Sequence, residues 1–234
     1  MKIALFGLTQ IKLGKHNLKD SRLDQADKLV EADKKTQAQV DVIGEDQLQD
    51  ADALLASHES KADLILKDLE FVETRLGRDP QPAERSALER IKSLLEAEQF
   101  IGKAGLSPQE LEAVAAHNFC TNKPITVATE PELQDPEALL LRAFAEAGYI
   151  CFLTVGGKEN RAWPIRQGTT AWEAAGAIHS DIQKGFIRAE VISFADFLVA
   201  GGETQAKRAG HQRLELRQYV VQDYDLLNFR FNKQ

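Results

Sequence analysis

The chain has 234 residues, 43% hydrophobic and 28% charged, the composition of a globular protein able to bury one or two cores. It has no run of eighteen apolar residues, so no membrane span is expected, and the opening MKIALFGLTQ is too short an apolar run for a signal peptide. The net charge of -7 is unevenly spread: residues 148–234 hold 11 Lys/Arg against 9 Asp/Glu, whereas residues 1–147 hold 18 against 27. The acidic part is a poor grip for a phosphate backbone; the C-terminal part qualifies if its cations share a face. Cys120 and Cys151 lie far apart and read as unpaired thiols of a cytoplasmic protein.

In chain order, residues 2–6 read as a short apolar strand closed by Gly7. Leu23, Ala26, Leu29 and Val30 recur at helix spacing, and residues 40–43 read as a second strand. Residues 63–76 form an amphipathic helix with Ile65, Leu69, Val72 and Leu76 on one stripe, stopped by Gly77. A return helix over 83–100 places Leu88, Ile91 and Leu95 on its apolar face. The two make an antiparallel hairpin, and part of each stripe is expected to stay uncovered, so a solvated spacer and a partner-binding arm both remain open. Ser107-Pro108-Gln109-Glu110 starts a helix with a capping box, residues 123–128 form a strand, and residues 135–147 a helix.

From Gly148 the pattern turns to strands. Residues 149–155 and 161–165 flank a hairpin turn at 156–160. Thr170 and Glu173 form a second capping box opening a helix over 171–178, residues 187–192 form a strand, and Ser193 caps a helix to 199. A short helix over 204–209 follows, and strands at 219–221 and 226–231 close the chain. Two hairpins clasping one helix is the β-grasp plan.

Three constellations bear on chemistry. A phosphate-binding loop reads GxxxxGK[ST]: its backbone N–H groups wrap phosphates, its lysine neutralises them and its hydroxyl binds magnesium. Here six residues separate Gly7 from Gly14, Lys15 follows, and His16 stands where the hydroxyl belongs. Two extra residues, at ~3.3 Å each, move the lysine several ångströms. His179-Ser180-Asp181 lacks the convergence of a catalytic triad and reads as a helix-ending turn, so no catalytic residue is assigned. Lys158, Arg161, Lys184, Arg188, Arg213 and Arg217, interleaved with Trp163, Phe186 and Tyr219, form a candidate surface for RNA or the ribosome; the alternative is a scattered, salt-bridged surface with its aromatics in the core. No His/Cys pair has metal-ligand spacing, and no metal is expected.

The string 175–190 (AAGAIHSDIQKGFIRAE, from Ala174), with Arg161-Ala162-Trp163, Ile192-Ser193-Phe194, Tyr219-Val220-Val221 and Asn228-Phe229, resembles the TGS domain of the YchF-type Obg-like ATPases, a branch of the P-loop NTPases. The resemblance covers about the last 87 residues almost without a break. Asp20-Ser21-Arg22-Leu23 resembles the family's D-P-R-L segment, and LKDLEFVETRL its coiled-coil insertion. Elsewhere the chain departs. The family's GLPNVGKS survives only as Gly7-Leu8, Gly44 takes the aspartate position of its DxxG (a shifted register would make Asp41-Val42-Ile43-Gly44 a literal DxxG), and its base-reading NxxE is Thr129-Glu130-Pro131-Glu132, without the asparagine amide. Asp223-Tyr224-Asp225 replaces a D-G-D turn, and because tyrosine resists positive φ a different turn shape is expected.

The resemblance implies a mixed α/β (α+β) protein: a truncated P-loop-like core over 1–62 and 98–147, a helical hairpin over 63–97, and a β-grasp TGS domain over 148–234. The expected function is an RNA- or ribosome-binding module without competent NTP hydrolysis and without a cofactor. Two alternatives stay open. One is an unusual ATP- or GTP-binding site with magnesium, using Gly7, Gly14, Lys15, Thr129 and Glu132. The other is a protein adaptor acting through the hairpin.

Overall fold

A computed structural model describes residues 1–232. In chain order the elements are β1 (Lys2–Phe6), β2 (Gly14–Leu18), α1 (Ser21–Leu29), β3 (Lys34–Thr36), β4 (Ala38–Ile43) and β5 (Ala53–Ser57). Next come α2 (Lys61–Leu76), α3 (Pro82–Glu96), α4 (Pro108–Ala113), β6 (Ile125–Ala128) and α5 (Pro136–Glu146). The remainder is β7 (Tyr149–Thr154), β8 (Glu159–Arg166), α6 (Ala171–Ile178), α7 (Ser180–Lys184), β9 (Phe186–Ile192), α8 (Phe194–Ala200), α9 (Glu203–Arg208), β10 (Arg213–Glu215) and β11 (Leu226–Phe231). Two compact units result: residues 1–16 with 40–147, and residues 17–39 with 148–234.

The first unit is built on a sheet of order β2-β4-β1-β5-β6, in which β4, β1, β5 and β6 run parallel. Strands buried on both faces read as short apolar runs, as KIALF and ALLAS do. Helices α2 and α3 cover this sheet. Ile65, Val72, Leu88, Ile91 and Leu95 are buried in one core with Ala4, Phe6, Leu54 and Ile125, and Leu69 and Leu76 pack against it. The expectation of an uncovered stripe therefore fails: the sheet buries what a two-helix arm would have left exposed.

The α2–α3 turn is clamped by charge. Arg75 donates to both oxygens of Glu84, at 2.6 and 2.8 Å, and His117 Nε2 lies 2.7 Å from the same carboxylate. The Arg75 and His117 contacts hold the Glu84 carboxyl at about 2, below its ordinary 4.5. A depressed acid stabilises the fold above its unfolded value and loses that contribution as pH falls towards the folded one. The stability difference between wild type and Glu84→Gln should therefore be largest near neutrality and shrink between pH 4.5 and about 2, as read by thermal melts across that range.

The second unit is a sheet of order β10-β9-β11-β7-β8-β3. β7–β8, β9–β11 and β9–β10 are antiparallel, while β7–β11 and β3–β8 are parallel. One face packs Phe152, Ile165, Ala189, Val191, Leu227 and Phe229 against Ala171, Ala174 and Ala175 of α6, whose alanines allow close approach. By strand alternation Cys151 and Leu153 face the other way and are equally buried. Helix α1 packs on β8 and α8. Asn160, fully buried, ties this segment in: its Nδ2 donates to Asp27 Oδ1 at 2.7 Å and to the Val30 carbonyl at 2.5 Å.

The Asp223-Tyr224-Asp225 turn departs from expectation. Tyr224 does take positive φ, +64°, the value a glycine would supply. Packing overrides the strain: Tyr224 is 2% exposed, the Arg22 guanidinium stacks 3.6 Å from its ring centroid, and the Tyr224 backbone N–H donates to the Cys151 carbonyl at 2.6 Å. Arg22 is itself fixed by Asp20 and Asp223. Residues 219–221 contribute a single bridge, Thr170 to Val220, rather than a strand.

Candidate functional site

The parallel strands of the first sheet end together at Phe6-Gly7, Ser57-His58 and Ala128-Thr129. Of the parallel strands that follow β1 in the chain, β4 lies on one side of it and β5 on the other, so the sheet's switch point lies at the end of β1, where open α/β sheets take ligands. Gly7 sits there with φ +65°, and an added Cβ would lie 2.4 Å from Ser60 Cβ. Its N–H donates to Glu45 Oε1 at 2.6 Å, and Ser60 Oγ donates to the Phe6 carbonyl at 3.0 Å. A carboxylate from the same chain thus holds the amide that would open a phosphate cradle.

The rest of the cradle is not assembled. Residues 8–13 form a loop with Leu8 and Ile11 buried. Gly14 and Lys15 then begin β2, a strand, where a phosphate loop would run into a helix whose first N–H groups face the anion. Lys15 is exposed, and His16 Nε2 lies 2.7 Å from the Lys12 carbonyl. Thr129 and Glu132 stand past the end of β6, at the opposite edge of the sheet from β2. Four strand spacings of ~4.8 Å put those edges about 19 Å apart. Glu132 is also committed. It accepts from Thr129 N–H at 2.9 Å and Thr129 Oγ1 at 2.7 Å and pairs with Arg142 at 2.9 Å. The Thr129 hydrogen bonds, with Arg142, hold its carboxyl below the usual range. The residues present do not fit a nucleotide with magnesium in the P-loop manner.

A cleft in this unit, of about 490 Å³, lies where β5 and β6 end and is lined by His58, Lys61, Glu98, Gln99, Phe100, Lys103 and Val127, so a carboxylate stands beside its two lysines. Lys123, absent from the sequence expectations, proves structural. Its Nζ donates to the carbonyls of Leu48, Gln49 and Ala51 at 2.9, 2.7 and 2.9 Å, and burial pulls its pKa down. Lys123→Ala should cost about 2–3 kcal/mol in denaturant unfolding, since it removes a charged donor from three carbonyls at once, leaving Leu48 only the long bond from the Ala51 N–H and Gln49 only the Asn118 amide.

In the second unit the six expected cations do not share a face. Arg161 stacks on Trp163 at 4.0 Å and Arg217 lies over Trp172 at 5.5 Å. Arg213, opposite Val191 on the helix-covered side, bonds Glu215 at 3.2 Å and Tyr219 at 3.1 Å. Arg161 and Arg213 thus sit over Trp163 and Tyr219, which are partly buried against the core, and Arg217 over the exposed Trp172. Lys158, Lys184 and Arg188 are exposed, and among the described residues no ion pair engages them. Arg188 shares a face with Glu190 and Asn228, away from Arg213. His179 behaves as a turn residue: its Nδ1 accepts from Asp181 N–H at 3.1 Å and caps α7.

Cys120 and Cys151 are free and buried, and burial pushes both thiols up, so neither is a ready nucleophile. Among the described residues no group of three His, Cys, Asp or Glu side chains could hold a metal ion, and no helix is long and apolar enough to cross a membrane.

These features define a two-sheet mixed α/β protein. A family model described as YchF-GTPase_C, protein of unknown function (DUF933), matches residues 149–232. The chain is 33% identical to the ribosome-binding ATPase YchF of Haemophilus influenzae over 249 aligned positions, covering 80% of this chain and 67% of that protein. It is 54% identical over 81 residues to the ribosome-binding ATPase YchF of Escherichia coli O157:H7, covering 35% and 22%. The solved structure of the Schizosaccharomyces pombe YchF GTPase superposes with a TM-score of 0.79 at 18% identity, covering 98% of this chain and 97% of that one. The chain belongs to the YchF family. It spans about two thirds of the length of the Haemophilus relatives, 67% and 64%.

Proposed function

We propose that this chain is a ribosome- or RNA-binding member of the YchF family that has lost competent NTP hydrolysis. The observation that carries this reading is the strand β2 standing where a phosphate loop would enter its helix, with the Gly7 amide held by Glu45. Identity to the Escherichia protein reaches 54% over 81 residues, against 33% over the longer Haemophilus alignment, so sequence has been kept unevenly along the chain. The second unit is read as a β-grasp TGS domain: the antiparallel pairs β7–β8 and β9–β11 enclose α6, and residues 17–39 add α1 and β3. The first unit is read as the reduced P-loop-like core with its helical hairpin, in a cytoplasmic protein. The adaptor reading loses its motive, because the hairpin's apolar stripe is buried.

A second reading, small-anion or nucleotide binding at a non-standard site, is favoured by the cleft of about 490 Å³ beside Lys61 and Lys103.

Co-sedimentation with 70S ribosomes over a salt series tests the main reading. Binding should occur without nucleotide, weaken steadily with salt, and be unaffected by Lys15→Ala. Binding that requires ATP, or is lost on Lys15→Ala, would overturn it.

A further inference from the structure

The outer face of the second sheet carries an arrangement that ordinary sheet energetics disfavours. In the antiparallel β9–β11 ladder, Arg188 stands directly opposite Arg230, two register steps from Glu190 opposite Asn228 and just before a register shift at Arg230–Phe231. Directly opposed residues point to the same face with Cβ atoms about 4.5–5.5 Å apart, and like charges so placed destabilise a sheet. One of the two is paired: Arg230 meets the Glu190 carboxylate through both Nε and Nη2. Arg230 Nε donates to Glu190 Oε1 at 2.6 Å, and Glu190, 7% exposed, also accepts from Asn228 at 3.0 Å. Arg188 has no such relief: among the described residues no carboxylate pairs with it. Beside it on β10, Leu214 lies opposite Glu190 and is 51% exposed.

We propose that Arg188 and Arg230 form a two-guanidinium clamp for one phosphodiester of an RNA strand. The inference rests on the RNA- or ribosome-binding reading above and names the residues that grip. Arg188 presents an unengaged fork of paired N–H donors, and Arg230, whose Nε and Nη2 are turned to Glu190, adds its remaining Nη N–H groups, a geometry that lysines do not supply. The buried Glu190 holds Arg230 in place, while Arg188 supplies the uncompensated charge. Exposed Leu214 offers an apolar surface to a neighbouring sugar or base. Of the earlier cations only Arg188 belongs to this site; Arg230 comes to light only from the register.

Arg230→Ala would strand a buried carboxylate, so the informative change is Arg188→Glu in the full chain, with Arg188→Ala beside it. Arg188→Glu turns a repulsive cross-strand pair into an attractive one with Arg230. It should raise the melting temperature while weakening binding of a labelled single-stranded oligouridylate, followed by fluorescence anisotropy, by more than about tenfold. Arg188→Ala should weaken binding by about tenfold and reduce the slope of log affinity against log salt by about 0.7. Wild-type binding that survives Arg188→Glu unchanged would overturn the clamp and leave the proposed function standing. Wild-type protein that binds neither oligouridylate nor ribosomes would overturn both. A lowered melting temperature for Arg188→Glu would refute the repulsion argument, and equal affinity for polyglutamate would reassign the face to an acidic protein.

Discussion

Asp68→Ala should destabilise the first unit by about 3–5 kcal/mol, more than any other single polar change in it. Asp68 lies on α2 at 4% exposure, and its carboxylate is the acceptor that ties down a buried corner of the chain. Oδ1 accepts from Cys120 N–H at 3.1 Å, and Oδ2 accepts from Thr121 N–H and Thr121 Oγ1, each at 2.7 Å. Cys120 and Thr121 are themselves 1% and 0% exposed, so their donors have no other protein partner at hand, although Asp68 and Cys120 border a cleft of about 400 Å³. Each orphaned donor costs about 1–3 kcal/mol, and the alanine leaves a cavity as well. Burial also pushes the Asp68 carboxyl above its ordinary value, so part of its contribution is spent on desolvation. Asp68→Asn keeps one oxygen but turns an amide donor towards a backbone N–H, and should cost about 1–3 kcal/mol. Urea unfolding of both variants decides the order; an Asp68→Ala cost under about 1 kcal/mol would show that the corner repacks.

Asn160→Ala should cost the second unit about 3–4 kcal/mol. The side chain is fully buried, and it serves three groups: Asp27 Oδ1, the Val30 carbonyl, and the Gly156 N–H, which donates to its Oδ1 at 3.3 Å. Removal leaves Asp27 and the end of α1 without their donor. If residues 17–39 are held to the sheet chiefly by this contact, hydrogen exchange in α1 should accelerate along with global destabilisation. Exchange in α1 unchanged from wild type would show that packing of Leu23 and Ala26 suffices.

What the sequence revealed and what it hid divide along physical lines. The capping boxes at Ser107 and Thr170 and the α2 stripe were legible because a few neighbouring residues determine them. Strand β5 was missed: ALLAS is short, has no alternation, and is a strand only because β1 and β6 flank it. GKHNL in β2 has no strand signature, and its pairing in the sheet, not its propensity, makes it one. Residues 17–39 offered no hint of which unit they join, because Asn160 lies 133 residues from Asp27. The Tyr224 expectation failed because burial and the Arg22 stack outweigh the cost of positive φ. For the site, spacing alone warned that the Gly7–Lys15 stretch was altered. The carboxylate on the Gly7 amide and the Arg188–Arg230 register depend on contacts between distant segments and needed three dimensions.

The account stands most directly on the loss of the phosphate cradle, and calorimetric titration of the full chain with ATP and with GTP, in magnesium, tests it. No saturable heat up to millimolar nucleotide is the predicted result, for wild type and for Lys15→Ala alike. Micromolar binding abolished by Lys15→Ala would mean that the loop from Gly7 to Lys15 closes on phosphate after all, and would contradict the account at its centre.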